Sequence, residues 1–242
     1  MKAYEWEGGI EDPRLIELPD GRYLLTYTAY DGRTARLCVA TSTDLRHWHK
    51  HGLAFGEGRW RDLWSKSGAV VGRREGSRIV ATRIDGRFWM YWGDTDIFAA
   101  TSDDGIRWQP VTDAQGALVP VLRPRPGMFD CQLVEPGPPA LWTPRGIVLL
   151  YNSRNLDEGG DPDLPPGTYT AGQALLDEGN PLVLRDRLTH YFLRPEADYE
   201  RTGQVGNVVF VEALSLYKGQ WFLYYGTADS HIAVAVAPRS FH

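Results

Sequence analysis

Residues 40–48 read Ala40-Thr41-Ser42-Thr43-Asp44-Leu45-Arg46-His47-Trp48, and sixty positions later residues 100–108 read Ala100-Thr101-Ser102-Asp103-Asp104-Gly105-Ile106-Arg107-Trp108. Ala-Thr-Ser, an aspartate two positions on and a basic residue ahead of Trp recur in register, so the chain carries an internal repeat. Upstream of each copy lies a glycine followed by an aromatic apolar run, GRYLLTY from Gly21 and GRFWMYW from Gly86. The same shape returns as RGIVLLY ending at Tyr151 and GQWFLYY from Gly219. These are four short runs rich in aromatic and branched residues, bounded by Asp-Gly, Arg-Gly and Lys-Gly turn signals, and each predicts a strand. LCVATS, IFAATS and HIAVAVAP supply the strands that follow. With 26 Gly and 16 Pro, helical periodicity is broken throughout; only Ala171 to Leu176 offers a helix candidate, and a short one. The expectation is one all-β domain over residues 1–242, a β-propeller of antiparallel blades with about four copies present. The turn-rich stretch Asn155 to Pro166 (NLDEGGDPDLPP) reads as a surface loop that could overhang one end of the channel.

Composition narrows the function. A net charge of −5 argues against nucleic acid as partner, because phosphate binding wants a basic surface. No apolar run approaches the roughly 18 residues of a membrane helix, so no membrane partner is expected. Met1 is followed at once by charged and aromatic residues, which gives no signal peptide and predicts a cytoplasmic location. Cys38 and Cys131 sit in apolar runs and read as buried small hydrophobes. His47, His49 and His51 alternate, a spacing that could hold a metal, but solvated turn histidines fit the pattern better and no metal site is expected. Nine Trp and twelve Tyr are mostly core, with some able to form flat platforms against sugar rings.

Candidate chemistry recurs ahead of each copy. Glu11-Asp12-Pro13-Arg14 precedes the first strand, Trp64-Ser65-Lys66-Ser67-Gly68-Ala69 the second, Val134-Glu135-Pro136 the third, and Val211-Glu212-Ala213 the fourth. Innermost strands of successive blades would bring these acids and the lysine to one channel. Carboxylates around a shared pocket are what glycosyl transfer needs, one to protonate the leaving oxygen and one to activate a nucleophile. Glu212 is the sharpest signal, since an unpaired charge inside VVFVEALSLY would be expensive. Asp12 could equally be a turn residue with Arg14 as its surface partner. Asp94 and Asp229 end strands beside glycine or alanine, positions suited to turns or to sugar hydroxyls.

In order along the chain, Gly-Ile-Glu-Asp-Pro-Arg, Ser-Lys-Ser-Gly-Ala, Glu-Pro-Gly-Pro-Pro-Ala-Leu before IVLLYN, and NVVFVEAL before FLYYGTADSHIAVA resemble glycoside hydrolase family 130. The resemblance implies a five-bladed propeller and activity on β-mannosides, as hydrolase or as phosphorylase, with an oligosaccharide as substrate. It implies that Asp12 is the catalytic acid, that Glu11 and Arg14 shape the mannose site, that Asp229 binds a mannose hydroxyl, and that Lys66 holds phosphate where phosphate is used. Family phosphorylases are similar to one another in a Tyr-His-Gly whose His binds phosphate; here Tyr151-Asn152-Ser153 stands there, and Asn152 is taken as a substrate contact. Glu135 and Glu212 add carboxylates that repel phosphate and suit activating water. The leading expectation is therefore an inverting β-mannosidase using Asp12, Glu135 and Glu212 with no cofactor. Two alternatives stand beside it. One is an inverting phosphorylase releasing mannose 1-phosphate, with inorganic phosphate as co-substrate gripped by Lys66 and Arg59 or Arg61. The other is an inactive or sugar-binding propeller fragment. Because the Glu-Asp-Pro-Arg motif stands at residue 11, the sequence resembles a family member lacking its first blade, whose open flanks could make a homo-oligomer.

Overall fold

The computed structural model describes residues 3–6 and 8–238. Their regular structure is almost all strand, in four antiparallel groups that follow one another along the chain. The first group is β1 (Gly9–Glu17), β2 (Tyr23–Tyr30), β3 (Ala35–Ser42) and β4 (His49–Leu53), each paired with the next. The second is β5 (Ala69–Glu75), β6 (Arg78–Ala81), β7 (Arg83–Ile84), β8 (Arg87–Trp92), β9 (Phe98–Ser102) and β10 (Gln109–Pro110). Here β5 divides its length, pairing with β8 through Ala69 and Val70 and with β6 from Gly72 onward. The third is β11 (Leu133–Pro136), β12 (Ala140–Thr143), β13 (Gly146–Arg154), β14 (Tyr169–Leu176) and β15 (Leu184–Arg187). The fourth is β16 (Val209–Tyr217), β17 (Gln220–Thr227) and β18 (His231–Pro238). Parallel contacts of β6 with β1 and of β12 with β5 tie the first three groups into one fifteen-stranded sheet, while the fourth group forms its own three-stranded sheet.

The repeated sequence has a repeated hydrogen-bond pattern. The Asp44 side chain accepts the N–H groups of Arg46 and His47 at 2.9 and 2.8 Å, and Asp104 accepts those of Ile106 and Arg107 at 2.8 Å each. Ser42 and Ser102 likewise accept from Leu45 and Gly105 at 2.8 Å. Side chains of this kind turn the backbone without a partner strand, and both copies connect the last two strands of a group, β3 to β4 and β9 to β10. Asp85-Gly86 and Lys218-Gly219 both hold positive φ, the two-residue turn whose twist matches antiparallel strands.

Apolar clusters lie between successive groups. Ile16, Leu37, Val70, Met90, Trp92 and Trp108 join the first to the second. Val71, Tyr91, Val134, Ile147 and Leu149 join the second to the third. Ala171, Val209, Val211, Leu223 and Tyr225 join the third to the fourth. Face-to-face packing of this kind leaves alternate residues to the opposite side. On β18, Ile232, Val234 and Val236 face solvent at 82%, 44% and 50% exposure. Residues 171–176 are strand, not helix: they pair with β13 along their whole length, and the buried Ala171, Ala174 and Leu176 belong to a sheet core. His49 and His51 contact each other edge to face at 4.6 Å and His51 bonds Thr41, whereas His47 ion-pairs with Asp44. Among the described residues no group of three or more His, Cys, Asp or Glu side chains could hold a metal. Nor, among the described residues, is any helix long and apolar enough to cross a membrane.

Candidate active site

The first strands of three groups and the segment leading into β5 converge on a cavity of about 460 Å³, and five of the acids singled out in the sequence meet there. Glu11 and Asp12 come from β1, Lys66 from the segment before β5, Glu135 from β11, Glu212 from β16, and Asp229 from the β17–β18 turn. Tyr169, Val208 and Phe210 form the less polar wall.

Local backbone irregularity aims these side chains. The β1–β2 register shifts between Glu11 and Arg14, and within that bulge Asp12 has φ 54°. The β16–β17 register shifts between Val211 and Ala213, so Glu212 is itself the extra residue of a bulge. Bulges redirect side chains out of the alternating pattern of a strand. Ser67 (φ 52°), Ala228 (φ 46°) and Asp229 (φ 50°) are left-handed as well, a conformation that costs roughly 1 kcal/mol or more per non-glycine residue and gathers at functional sites.

Charge is concentrated and poorly hydrated. The Lys66 ammonium lies 3.2 Å from Glu11 and 3.4 Å from Asp12. Burial works against that ammonium, but the carboxylates of Asp12, Glu135 and Glu11 outweigh it and raise its pKa. Asp12 Oδ2 is buried and accepts no hydrogen bond from the described residues. Glu135, 4% exposed, receives a short hydrogen bond from the Ser67 hydroxyl. Burial, and then the charge of Asp12, hold its carboxyl well above the ordinary range against the opposing pull of Lys66 and Arg14. Glu212 is pushed up to about 7, first by burial, with Asp12 adding to it and Arg14 opposing. Asp229 is raised by burial and by Asp12.

Other residues singled out in the sequence stand elsewhere. Arg14 is 2% exposed and lies beneath the cavity rather than in its wall. Its guanidinium donates to the carbonyls of Asp12 (2.7 Å), Pro136 (3.0 Å) and Gly137 (3.2 Å) and approaches Glu212 to 3.7 Å. One buried cation thus ties together the three strands that carry Asp12, Glu135 and Glu212. Asn152 is fully buried opposite Glu135, and its amide donates to the Val211 carbonyl at 3.0 Å and accepts the Val211 N–H at 2.6 Å. It clamps the β16 edge at the residue just before the bulge and makes no part of the cavity wall. Asp94 accepts the Trp64 indole N–H at 2.7 Å, outside the cavity. Arg61, just after the short turn Gly58–Trp60, opens onto a separate cavity of about 530 Å³ with Tyr4, His51 and Arg107. Arg59 lies over the Trp60 ring at 4.1 Å and donates to the Gly116 carbonyl. Neither arginine reaches Lys66. Ser67, Tyr169 and Phe210 are site residues that sequence reasoning did not single out, and the left-handed backbone that aims Ser67 has no signal in a Ser-Gly-Ala string.

Buried carboxyl groups on a sugar-sized cavity, two of them held above the ordinary carboxylate range and another beside an ammonium, have the chemistry that acid–base catalysis uses. The family model of glycoside hydrolase family 130, described as beta-1,4-mannooligosaccharide phosphorylase, matches residues 2–240, and the chain belongs to that family. It is a carbohydrate-active enzyme, a glycosidase or a glycoside phosphorylase. The 1,2-beta-oligomannan phosphorylase of Thermoanaerobacter sp. (strain X514) is 28% identical over 94% of this chain and 68% of its own. A glycosyl hydrolase structure from Bacteroides ovatus is 43% identical, with a TM-score of 0.96 over 98% of this chain and 67% of its own. A further solved structure, also 43% identical with a TM-score of 0.96, covers 98% of this chain and 67% of its own; it is described with family-130 glycoside hydrolases that target beta-1,2 mannosidic linkages in Candida mannan.

Proposed function

We propose that the four strand groups are blades of a propeller and that the cavity at their inner strands hydrolyses β-linked mannosides with inversion. In this reaction the leaving glycosidic oxygen takes a proton from Asp12, directly or through a sugar hydroxyl. A water on the opposite face of the ring attacks C1 as the C1–O bond breaks, and Glu212 takes its proton. Glu135, deeper and held by Ser67, keeps its own proton and donates a hydrogen bond to the sugar. The carrying observation is the charge of the cavity: Glu11, Asp12, Glu135, Glu212 and Asp229 face one cation, Lys66, which already sits between two carboxylates. With that cation already engaged, little positive charge is left to hold a phosphate dianion, whereas water needs none. The 43% identical structures described as hydrolases support the same reading.

Phosphorolysis is the second reading, and the names favour it: the family model and the 28% identical curated relative are both described as phosphorylases. Phosphate would then replace water, lie against Lys66, and leave as mannose 1-phosphate. Incubation with β-1,2-, β-1,3- and β-1,4-mannobiose, with and without inorganic phosphate, separates the two. Free mannose in both tubes is the expected result, with the β-1,2 isomer first to try because two of the relatives carry that linkage in their descriptions. Mannose 1-phosphate formed only with phosphate would replace hydrolysis by phosphorolysis.

A further inference from the structure

We infer that Trp64 is the platform for the second sugar of the substrate, the ring that leaves with the glycosidic oxygen. This rests on the reading of the neighbouring cavity as a glycoside-cleaving site. Ser65 and Ser67 are buried at 3% and 0% exposure, and the residues alternating with them, Trp64 and Lys66, turn outward. Lys66 reaches Glu11 and Asp12, so Trp64 stands one step outside the catalytic acids. The indole is 46% exposed, yet it is held on two sides. Its N–H is committed to Asp94 at 2.7 Å, and Tyr30 meets it edge to face at 6.2 Å and 67°. Both supports belong to the site's own framework. Asp94 follows Gly93, whose N–H donates to the Lys66 carbonyl at 2.9 Å. Tyr30 ends β2 opposite Gly9, two residues before Glu11 on β1.

An exposed indole whose only polar group is already satisfied presents a rigid apolar face with no hydrogen bond left to offer water. The negative potential of that face attracts the polarised C–H groups of a pyranose, and the ring is fixed before the sugar arrives, so little conformational freedom is lost on binding. A monosaccharide in the cavity does not need the platform. A disaccharide does.

The test compares kcat/KM for β-mannobiose with kcat/KM for methyl β-mannoside, whose leaving group is too small to cover an indole. In Trp64→Ala this ratio is expected to fall roughly five- to tenfold, while Trp64→Phe, which keeps a ring, holds most of it. Asp94→Ala, which frees the indole, should give an intermediate ratio and carries the test if Trp64→Ala does not fold. An unchanged ratio in folded Trp64→Ala, or in Asp94→Ala alone where Trp64→Ala is lost, overturns the inference. If the wild-type chain cleaves neither compound, the catalytic reading fails separately, and calorimetric binding of mannobiose and mannose decides the platform. Selective weakening of mannobiose in Trp64→Ala (or Asp94→Ala) supports it; equal weakening, or no binding by the wild type, ends it.

Discussion

Glu212 carries an acid that folding makes harder to ionise. Its pKa rises from 4.5 to about 7 because the protein removes water from the carboxylate faster than Arg14 repays it with charge. A folded-state pKa above the unfolded one means the native state binds the proton more tightly, so this contribution to stability is full below about pH 4.5 and is lost as pH rises through about 7. Glu212→Gln, which resembles the protonated form, is therefore expected to be more stable than wild type at pH 8 by roughly 1–3 kcal/mol, with the difference vanishing toward pH 4. Urea titrations at the two pH values measure it. The same substitution should abolish turnover, since an amide cannot take a proton from water. In the wild type the proposed base must be anionic, and kcat/KM should decline as pH falls below about 7. A profile flat down to pH 5 would remove Glu212 from that role.

At the scale of the element, two bulges and one buried cation determine where the acids point. Gly137 shows how tight the junction is: a Cβ there would lie 2.8 Å from the Val211 side chain and 2.9 Å from the Leu150 carbonyl. Arg14 fills this junction with three carbonyl acceptors. Arg14→Lys keeps the charge but strands two of those carbonyls, at about 1–3 kcal/mol, and should lower the melting temperature by several degrees. Asn152→Ala leaves the Val211 N–H and C=O unpaired in the interior, a similar penalty, and lets the β16 bulge relax. It is expected to cut turnover more than tenfold at temperatures where the variant is still folded, because Glu212 loses its direction. Assay and circular dichroism on one sample give both numbers, and full activity in a destabilised Asn152→Ala would mean that the bulge holds without its clamp.

The whole molecule places chemistry at one end of stacked sheets and apolar surface on their flank. Ile232, Val234 and Val236 lie on the face of β18 turned away from the core, and Tyr224 beside them on β17 is 41% exposed. Contiguous apolar surface of this kind promotes association. Replacing Ile232 and Val236 by Thr should leave melting temperature and turnover unchanged and reduce concentration-dependent light scattering. No change in scattering would show that this face does not drive association.

Sequence alone determined the strand groups, because aromatic runs, Asp-Gly and Lys-Gly turns and the Ser-x-Asp repeat act through local geometry and bury their residues wherever the sheets lie. It also placed Asp12, Glu135, Glu212, Glu11, Lys66 and Asp229 as candidates: Glu212 because an acid inside an apolar run is costly, the others through their place ahead of the repeated strands or at a strand end and through the family resemblance. The cavity gathers all six. Only the tertiary structure decided what the remaining polar residues do. Arg14 and Asn152 have the chemistry of ligands, but their partners are backbone groups more than fifty residues away, which no local pattern announces. Arg61 and Asp94 are separated from the acids by the path of the chain around Trp64, and Ser67 joins them through a left-handed turn. Which carboxyl keeps its proton depends on how much water the neighbouring sheets exclude, and that is a property of the packed molecule.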